Sequence, residues 1–147
     1  MELYNVLKNI YGKNNEEELK EAILTVRNSL NGLTEERMCK VYSSLLLNEL
    51  NNRHVPARLI NTLDLGLKYE HIFVLVPSNE IGYFLADLTF SQFNQKPEQL
   101  SQLLNNGYQL MEDINLNYYL NVIEKGNLTN PISIEDIFYT NSNNIKR

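Results

Sequence analysis

The chain of 147 residues contains one cysteine, two histidines and no tryptophan. A single cysteine cannot form an internal disulfide, which excludes the small secreted proteins that several disulfides hold together. Structural zinc sites built from several cysteines are excluded as well, and two histidines are too few to replace them. Taken alone, a single cysteine is more often a buried and inert thiol than a reactive one.

Long apolar runs and clustered positive charges are also missing. No apolar run approaches the roughly 20 residues that a membrane-spanning helix needs. Thirteen Lys and Arg stand against eighteen Asp and Glu, which gives a net charge of −5, and the basic residues are scattered. The first eight residues lack the charged and then apolar layout of a signal peptide. We therefore expect a cytoplasmic protein that binds neither a membrane nor nucleic acid; delivery as an effector and the oligomeric state stay open.

The spacing of apolar residues predicts helices in the first third of the chain. A short helix is expected over residues 2–10, and residues 15–30 carry an apolar stripe at helical spacing. A third helix is expected to begin at an N-cap, Thr34, and to run to about Asn51. Its expected core positions are Met38, Val41, Leu45, Leu46 and Leu50.

The middle of the chain changes to strand composition. Strands are predicted over residues 55–61, 69–76 and 81–90, and the turn-like residues 77–80 join the last two as a hairpin. Further helices are expected over residues 97–107 and 114–125, and after a capping box at residues 133–136. This order predicts an α+β protein, one domain over residues 1–147 with a three-stranded sheet. The C-terminal third is expected to pack on the sheet through Tyr108, Leu110, Tyr118, Tyr119, Leu120 and Ile123.

His71 and Asp87 are the first candidate site residues because of their expected positions in the hairpin. If the hairpin loop has five residues centred on Asn79, His71 lies directly opposite Asp87 on the same face of the sheet. A carboxylate in that position would orient the imidazole and stabilise its protonated form, as in a catalytic triad. Each residue taken alone is more often structural.

Cys39 is the third candidate because it lies early in a predicted helix, where the helix dipole favours a thiolate. His54 follows it by fifteen residues, about 20 Å along a helix, so we expect His54 in the turn before Pro56 and not beside Cys39. His71 is then the histidine that can accept the proton of Cys39. The alternative is that Cys39 is a small apolar filler on a core-facing helix.

Three blocks of the sequence together resemble the transglutaminase-like superfamily of papain-like cysteine enzymes. Cys39 begins the block CKVYSSLLLNEL, which leads into VPARLI at residues 55–60, where the family has a Gly-Ile-Pro-Ala-Arg turn and strand. His71 begins HIFVLV, where the family has a His-Ala-Trp-Val-Glu-Val pattern, and Asp87 begins Asp-Leu-Thr in place of Asp-Pro-Thr. His54 stands where the family has a turn glycine. The resemblance covers roughly residues 34–93.

The resemblance implies a papain-like core in which the nucleophile helix packs on a small antiparallel sheet, with a C-terminal helical part over residues 95–140. It implies a catalytic triad of Cys39, His71 and Asp87 that needs neither a cofactor nor a metal. In the small bacterial branch of the family, which includes toxin and effector domains, the expected activity is cleavage of peptides or deamidation of glutamine in a protein or peptide substrate. Two alternatives stay open: an inactive interaction module of the same fold, and an acyltransferase similar to arylamine N-acetyltransferases.

Overall fold

The computed structural model describes residues 14–31 and 38–138, which form a four-stranded antiparallel sheet with helices on both faces. The strands are neighbours in chain order: β1 (Arg58–Asn61), β2 (Ile72–Pro77), β3 (Tyr83–Ala86) and β4 (Tyr108–Met111). The helices of this part of the chain are α1 (Asn15–Ser29), α2 (Cys39–Asn52), α3 (Ser101–Asn106) and α4 (Asp113–Ile123), followed by helical residues 134–138. The architecture is α+β, as the sequence predicts.

The sheet separates two apolar layers because successive strand residues point to opposite faces. Val74 and Val76 of β2 contact the layer formed by α1 and α2, whose buried residues include Leu19, Ile23, Leu46 and Leu50. Phe73 and Leu75 contact the opposite layer, which α4 and the segment around α3 supply with Leu100, Leu103, Leu116, Tyr119 and Leu120. Each face of the sheet is thus covered by helices.

Helix α1 matches the predicted helix over residues 15–30. The side chain of Asn14 accepts a hydrogen bond from the N–H of Glu17, and three glutamates lie in the first turn, where the helix dipole favours negative charge. Its buried stripe consists of Leu19, Ala22, Ile23 and Val26. The predicted amphipathic helix is confirmed.

Helix α2 begins at Cys39, which corrects the expected start at Thr34. Met38 directly before it has a non-helical backbone, with φ −109° and ψ 14°. Thr34, like the helix expected over residues 2–10, lies outside the described residues. Cys39 is therefore the first residue of its helix, where the dipole acts most strongly.

The buried face of α2 also differs from the expected one. Val41 and Leu45 are 41% and 39% exposed, so their assignment to the core is wrong. The side chains that pack against the sheet and α1 are those of Tyr42, Ser43, Leu46 and Leu50. The sequence contains apolar residues on both sides of this helix, so apolarity alone does not identify the buried side.

The β2–β3 hairpin is confirmed, but its register differs by two residues from the expected one. Leu75 faces Leu85 and Pro77 faces Tyr83, so the ladder extended beyond β3 brings Asp87 level with Phe73 and not with His71. A shift of two residues keeps every side chain on its original face, whereas a shift of one would reverse it. His71 and Asp87 therefore still share a face.

The sheet has four strands and not three, because Tyr108–Met111 forms β4 against β3. Leu110 and Tyr118 are 46% and 40% exposed, so their expected packing on the sheet is wrong, whereas Tyr108, Tyr119, Leu120 and Ile123 are buried. The capping box is confirmed: the Ser133 hydroxyl accepts the N–H of Asp136, and the Asp136 carboxylate accepts that of Ser133. Within the described residues, no helix combines the length and apolarity needed to cross a membrane.

Candidate active site

A buried hydrogen bond of 2.7 Å joins His71 Nε2 to Asp87 Oδ2. His71 lies one residue before β2 and Asp87 one residue after β3, so the ends of two adjacent strands supply the pair. Both residues are 2% exposed. The alternation of side chains along the strands places them on the face that α4 covers. The structure thus brings together the histidine and the aspartate that the sequence singles out.

Three further hydrogen bonds hold the Asp87 carboxylate. The Tyr119 hydroxyl donates to Oδ2 at 2.7 Å, and the N–H and the hydroxyl of Thr89 donate to Oδ1 at 3.0 and 3.1 Å. Sequence reasoning missed both partners. The Asp-x-Thr spacing is a signal for the Thr89 contact, because an aspartate side chain often bonds to the backbone two residues further on. Tyr119 is 32 residues away in the chain and gives no such signal.

Neighbouring strands and loops fix the backbone on either side of the pair. The N–H of His71 donates to the hydroxyl of the buried Thr62, and the carbonyl of His71 accepts the N–H of Thr62. Glu124 at the end of α4 accepts the N–H groups of Lys68 and Tyr69, which holds the loop that precedes His71. The N–H of Asp87 donates to the carbonyl of Gly107 at the start of β4.

Cys39, the first residue of α2, lies next to the His71–Asp87 pair, and the residue is partly exposed. A hydrogen bond with the His71 side chain is the main cause that lowers the pKa of Cys39 below its ordinary value of 9.0; burial opposes it, and the charge of His71 and the Ile72 N–H add to it. Because Asp87 takes Nε2 of the ring, Nδ1 is the nitrogen left for the thiol. The Ser43 hydroxyl ties α2 to β2 by donating to the carbonyl of Ile72 at 3.0 Å.

The charges of the three groups support one another. Burial alone would lower the pKa of His71, but the charge and hydrogen bond of Asp87, helped by Cys39, raise it to about 9. Burial alone would raise the pKa of Asp87, but the His71 charge and the hydrogen bonds from His71, Tyr119 and Thr89 hold it below its ordinary 3.8. The lowered pKa of Cys39 and the raised pKa of His71 both shift the pair towards a thiolate and an imidazolium, and Asp87 beside them is held as a carboxylate.

The start of α2 also offers backbone hydrogen-bond donors beside the sulfur. The N–H of Tyr42 is bonded to the carbonyl of Met38, whereas the N–H groups of residues 39–41 lie in the first turn, where a helix supplies no acceptor of its own. Such donors can stabilise negative charge that develops on an oxygen next to the Cys39 sulfur. The described residues contain no cluster of three or more His, Cys, Asp and Glu side chains that could hold a metal ion.

His54 lies in the turn before Pro56, as expected, two residues beyond the end of α2. Its backbone is left-handed, with φ 61°, a conformation that glycine adopts more readily. His54 is not among the groups that shift the pKa of Cys39 or of Asp87.

A cleft of about 920 Å³ lies elsewhere on the molecule, between α1, the β2–β3 loop and α3. Its lining contains none of the three candidate residues and carries charges of both signs, from Glu16, Lys20, Arg27 and Glu80. The contacts of Cys39, and not the volume of this cleft, therefore locate the candidate chemistry.

Comparisons of the chain with family models, curated proteins and solved structures give no match. The chemistry of the site is therefore inferred from its own residues.

Proposed function

We propose that the protein is a transglutaminase-like cysteine hydrolase or acyl transferase with a papain-like core, which acts on amides of a protein or peptide substrate. The observation that carries the proposal is the position of the His71 ring, which bonds Asp87 through Nε2 and lies close enough to Cys39, the first residue of α2, to lower the pKa of its thiol. This is the arrangement of nucleophile, proton carrier and orienting carboxylate that acyl transfer requires.

In the first half of the reaction, the Cys39 sulfur forms a bond to the amide carbonyl carbon, and the electron pair of the C=O bond moves to the oxygen. The N–H groups at the start of α2 donate to this oxyanion. As the tetrahedral intermediate collapses, the C–N bond breaks and the His71 imidazolium gives its proton to the departing nitrogen. The products are a thioester at Cys39, a free amine or ammonia, and a neutral His71.

In the second half, the neutral His71 takes a proton from water as the water oxygen attacks the thioester carbon. The C–S bond then breaks, which releases a carboxylic acid and restores the thiolate and the imidazolium. A backbone amide as substrate gives peptide cleavage, and a glutamine side chain gives glutamate and ammonia. An amine that replaces water gives transamidation.

The shifted pKa values support catalysis over the alternative of an inactive interaction module. Ionisable groups whose pKa values are shifted by burial and by specific partners cluster at functional sites. Here the pKa of Cys39 is lowered and that of His71 is raised, so both shifts favour the reactive ion pair. If Cys39 only filled space in the packing, nothing about that role would require a charged histidine beside it.

The test compares wild-type protein with Cys39→Ala after incubation with a mixture of soluble cellular proteins. His54→Ala serves as the matched control, because it removes the chain's other histidine outside the site. We expect new peptide N-termini, or glutamines converted to glutamate with release of ammonia, from the wild type and the control only. Equal product levels from wild type and Cys39→Ala would overturn the proposal.

A further inference from the structure

One oxygen of Asp87 accepts two short hydrogen bonds. Oδ2 is 2.7 Å from His71 Nε2 and 2.7 Å from the hydroxyl oxygen of Tyr119. We propose that Tyr119 is a positioning residue that acts on His71 through Asp87 and limits how strongly the imidazolium holds its proton. This inference rests on the proposed function, in which His71 must release that proton to the departing nitrogen.

Packing alone does not account for the tyrosine at position 119. The residue is fully buried, and its ring contacts the rings of Phe73 and Phe90 at centroid distances of 5.2 and 5.8 Å. Phenylalanine would fill the same space without a hydroxyl that needs a partner in an apolar layer. The hydroxyl has its hydrogen bond with Asp87. Burial and the Asp87 charge raise the pKa of Tyr119 well above 10.0, so the hydroxyl keeps its proton.

The other described groups around His71 and Asp87 do not account for the effect that we assign to Tyr119. Among the described residues, the titratable groups that act on the pKa values of His71 and Asp87, besides the two residues themselves, are Cys39 from α2 and Tyr119 from α4. The remaining contacts are neutral: Thr62 before β2, and Thr89 and Phe93 after β3. The nearby glutamates are engaged with other groups, Glu124 with the N–H groups of Lys68 and Tyr69, and Glu70 with the side chain of Asn61.

The shared oxygen gives the direction of the effect. The polar O–H of Tyr119 offsets part of the negative charge that keeps the proton on His71. Thr89 holds the other carboxylate oxygen with two hydrogen bonds, so Asp87 stays in place when the tyrosine hydroxyl is removed. Without Tyr119 the imidazolium therefore faces a less compensated carboxylate and keeps its proton to a higher pH.

The test is the NMR titration of the His71 imidazole in a His54→Gly background, in which His71 is the one histidine. In Tyr119→Phe we expect the pKa of His71 to rise by about half a unit, since one of two donors on the shared oxygen is lost. Tyr108→Phe is the matched control, because it removes a 2.7 Å tyrosine–carboxylate hydrogen bond, to Glu16, in the apolar layer of α1 and α2. An unchanged or lower His71 pKa in Tyr119→Phe would overturn the proposal.

A second variant covers the case in which Tyr119→Phe does not fold. Tyr119→Met also lacks the hydroxyl and fills the space with an adaptable side chain, and the same upward shift is expected. The titration needs no turnover, so it separates the two proposals. A shift without Cys39-dependent amide chemistry supports the role of Tyr119 and contradicts the proposed function. Cys39-dependent chemistry without a shift contradicts the role of Tyr119 alone.

Discussion

His71 and Asp87 are diagonal neighbours across the β2–β3 hairpin, joined by a 2.7 Å hydrogen bond, and are not directly opposed. Diagonal positions on one face of an antiparallel pair are within reach of long side chains. The ring reaches Asp87 with Nε2, which leaves Nδ1 free for Cys39 at the start of α2, whose pKa the same ring lowers. The relationship therefore links two strand ends and one helix start through a single imidazole.

Asp87→Asn tests whether the carboxylate keeps His71 charged. The buried ring would lose the charge that raises its pKa to about 9 and would keep the burial that lowers it, so we expect a neutral imidazole near pH 7. The pKa of Cys39 then rises, and alkylation of Cys39 at that pH slows by about tenfold or more, one factor of ten per pKa unit. Asp64→Asn, on an exposed turn, is the control. If Cys39 in Asp87→Asn is alkylated as fast as in the wild type, the Asp87 carboxylate does not keep His71 charged.

The pH dependence of stability should reveal the thiolate. The pKa of His71 is raised from 6.5 to about 9, so its contribution to folding is complete below pH 6.5 and is lost as the pH rises through 9. The pKa of Cys39 is lowered from 9.0, so its contribution is complete above pH 9 and is lost as the pH falls through its folded pKa. In the wild type these two slopes oppose each other between pH 6.5 and 9.

The Cys39→Ser variant lacks the Cys39 contribution to the pH dependence of stability and keeps the His71 contribution. We expect its free energy of unfolding, measured by urea titration, to fall more steeply between pH 6.5 and 9 than that of the wild type, because the His71 contribution is no longer offset. Ser43→Ala, further along α2, should keep the wild-type slope, since it removes a hydroxyl that donates to a carbonyl and does not titrate. Identical slopes for Cys39→Ser and wild type would mean that Cys39 stays a thiol in the folded protein.

Gly107 connects β4 to the site, and alanine there is expected to be costly. Its φ is +84°, and an added Cβ would lie 2.8 Å from the Leu88 side chain, next to Asp87. Its carbonyl accepts the N–H of Asp87. Backbone strain and the clash together predict a loss of about 2–3 kcal/mol in the free energy of unfolding for Gly107→Ala.

Gly66→Ala is the control for Gly107→Ala, because Gly66 has φ +86° and open space around its added Cβ. It carries the backbone strain alone, so we expect a loss of about 1 kcal/mol. Urea unfolding of the two variants measures the difference. If Gly66→Ala loses as much free energy of unfolding as Gly107→Ala, the clash with Leu88 is not a cause of the loss.

The sequence predicts where helices and strands lie better than it predicts which side of a helix is buried or how many strands the sheet has. The stripe of α1 and the hairpin follow from periodicity and turn residues, which are local signals. Strand β4 was missed because Tyr108–Met111 is short, contains no β-branched residue and lies between two helices. The exposed Val41 and Leu45 show that a helix with apolar residues on two sides is oriented by its tertiary contacts.

The sequence singles out His71 and Asp87 correctly as neighbours although the expected register of the hairpin is wrong by two residues. An error of two residues leaves each side chain on its original face of the sheet. A slip of one residue would have separated His71 from Asp87. Tyr119 could not be found in this way, since its contact with Asp87 depends on how α4 packs on the sheet. Leu116, Leu120 and Ile123 lie on the same side of the predicted helix as Tyr119, so a tyrosine at this position is predicted as core.

The rate of Cys39 alkylation as a function of pH tests the central claim most directly. With dilute iodoacetamide at pH 6 to 7, native Cys39 is expected to react about tenfold faster than N-acetylcysteine, because His71 holds it as a thiolate. His71→Ala should bring the rate down to that of the free thiol, while His54→Ala should leave it unchanged. A Cys39 that reacts no faster than N-acetylcysteine, or only after unfolding, would contradict a thiolate–imidazolium pair and with it the proposed catalysis.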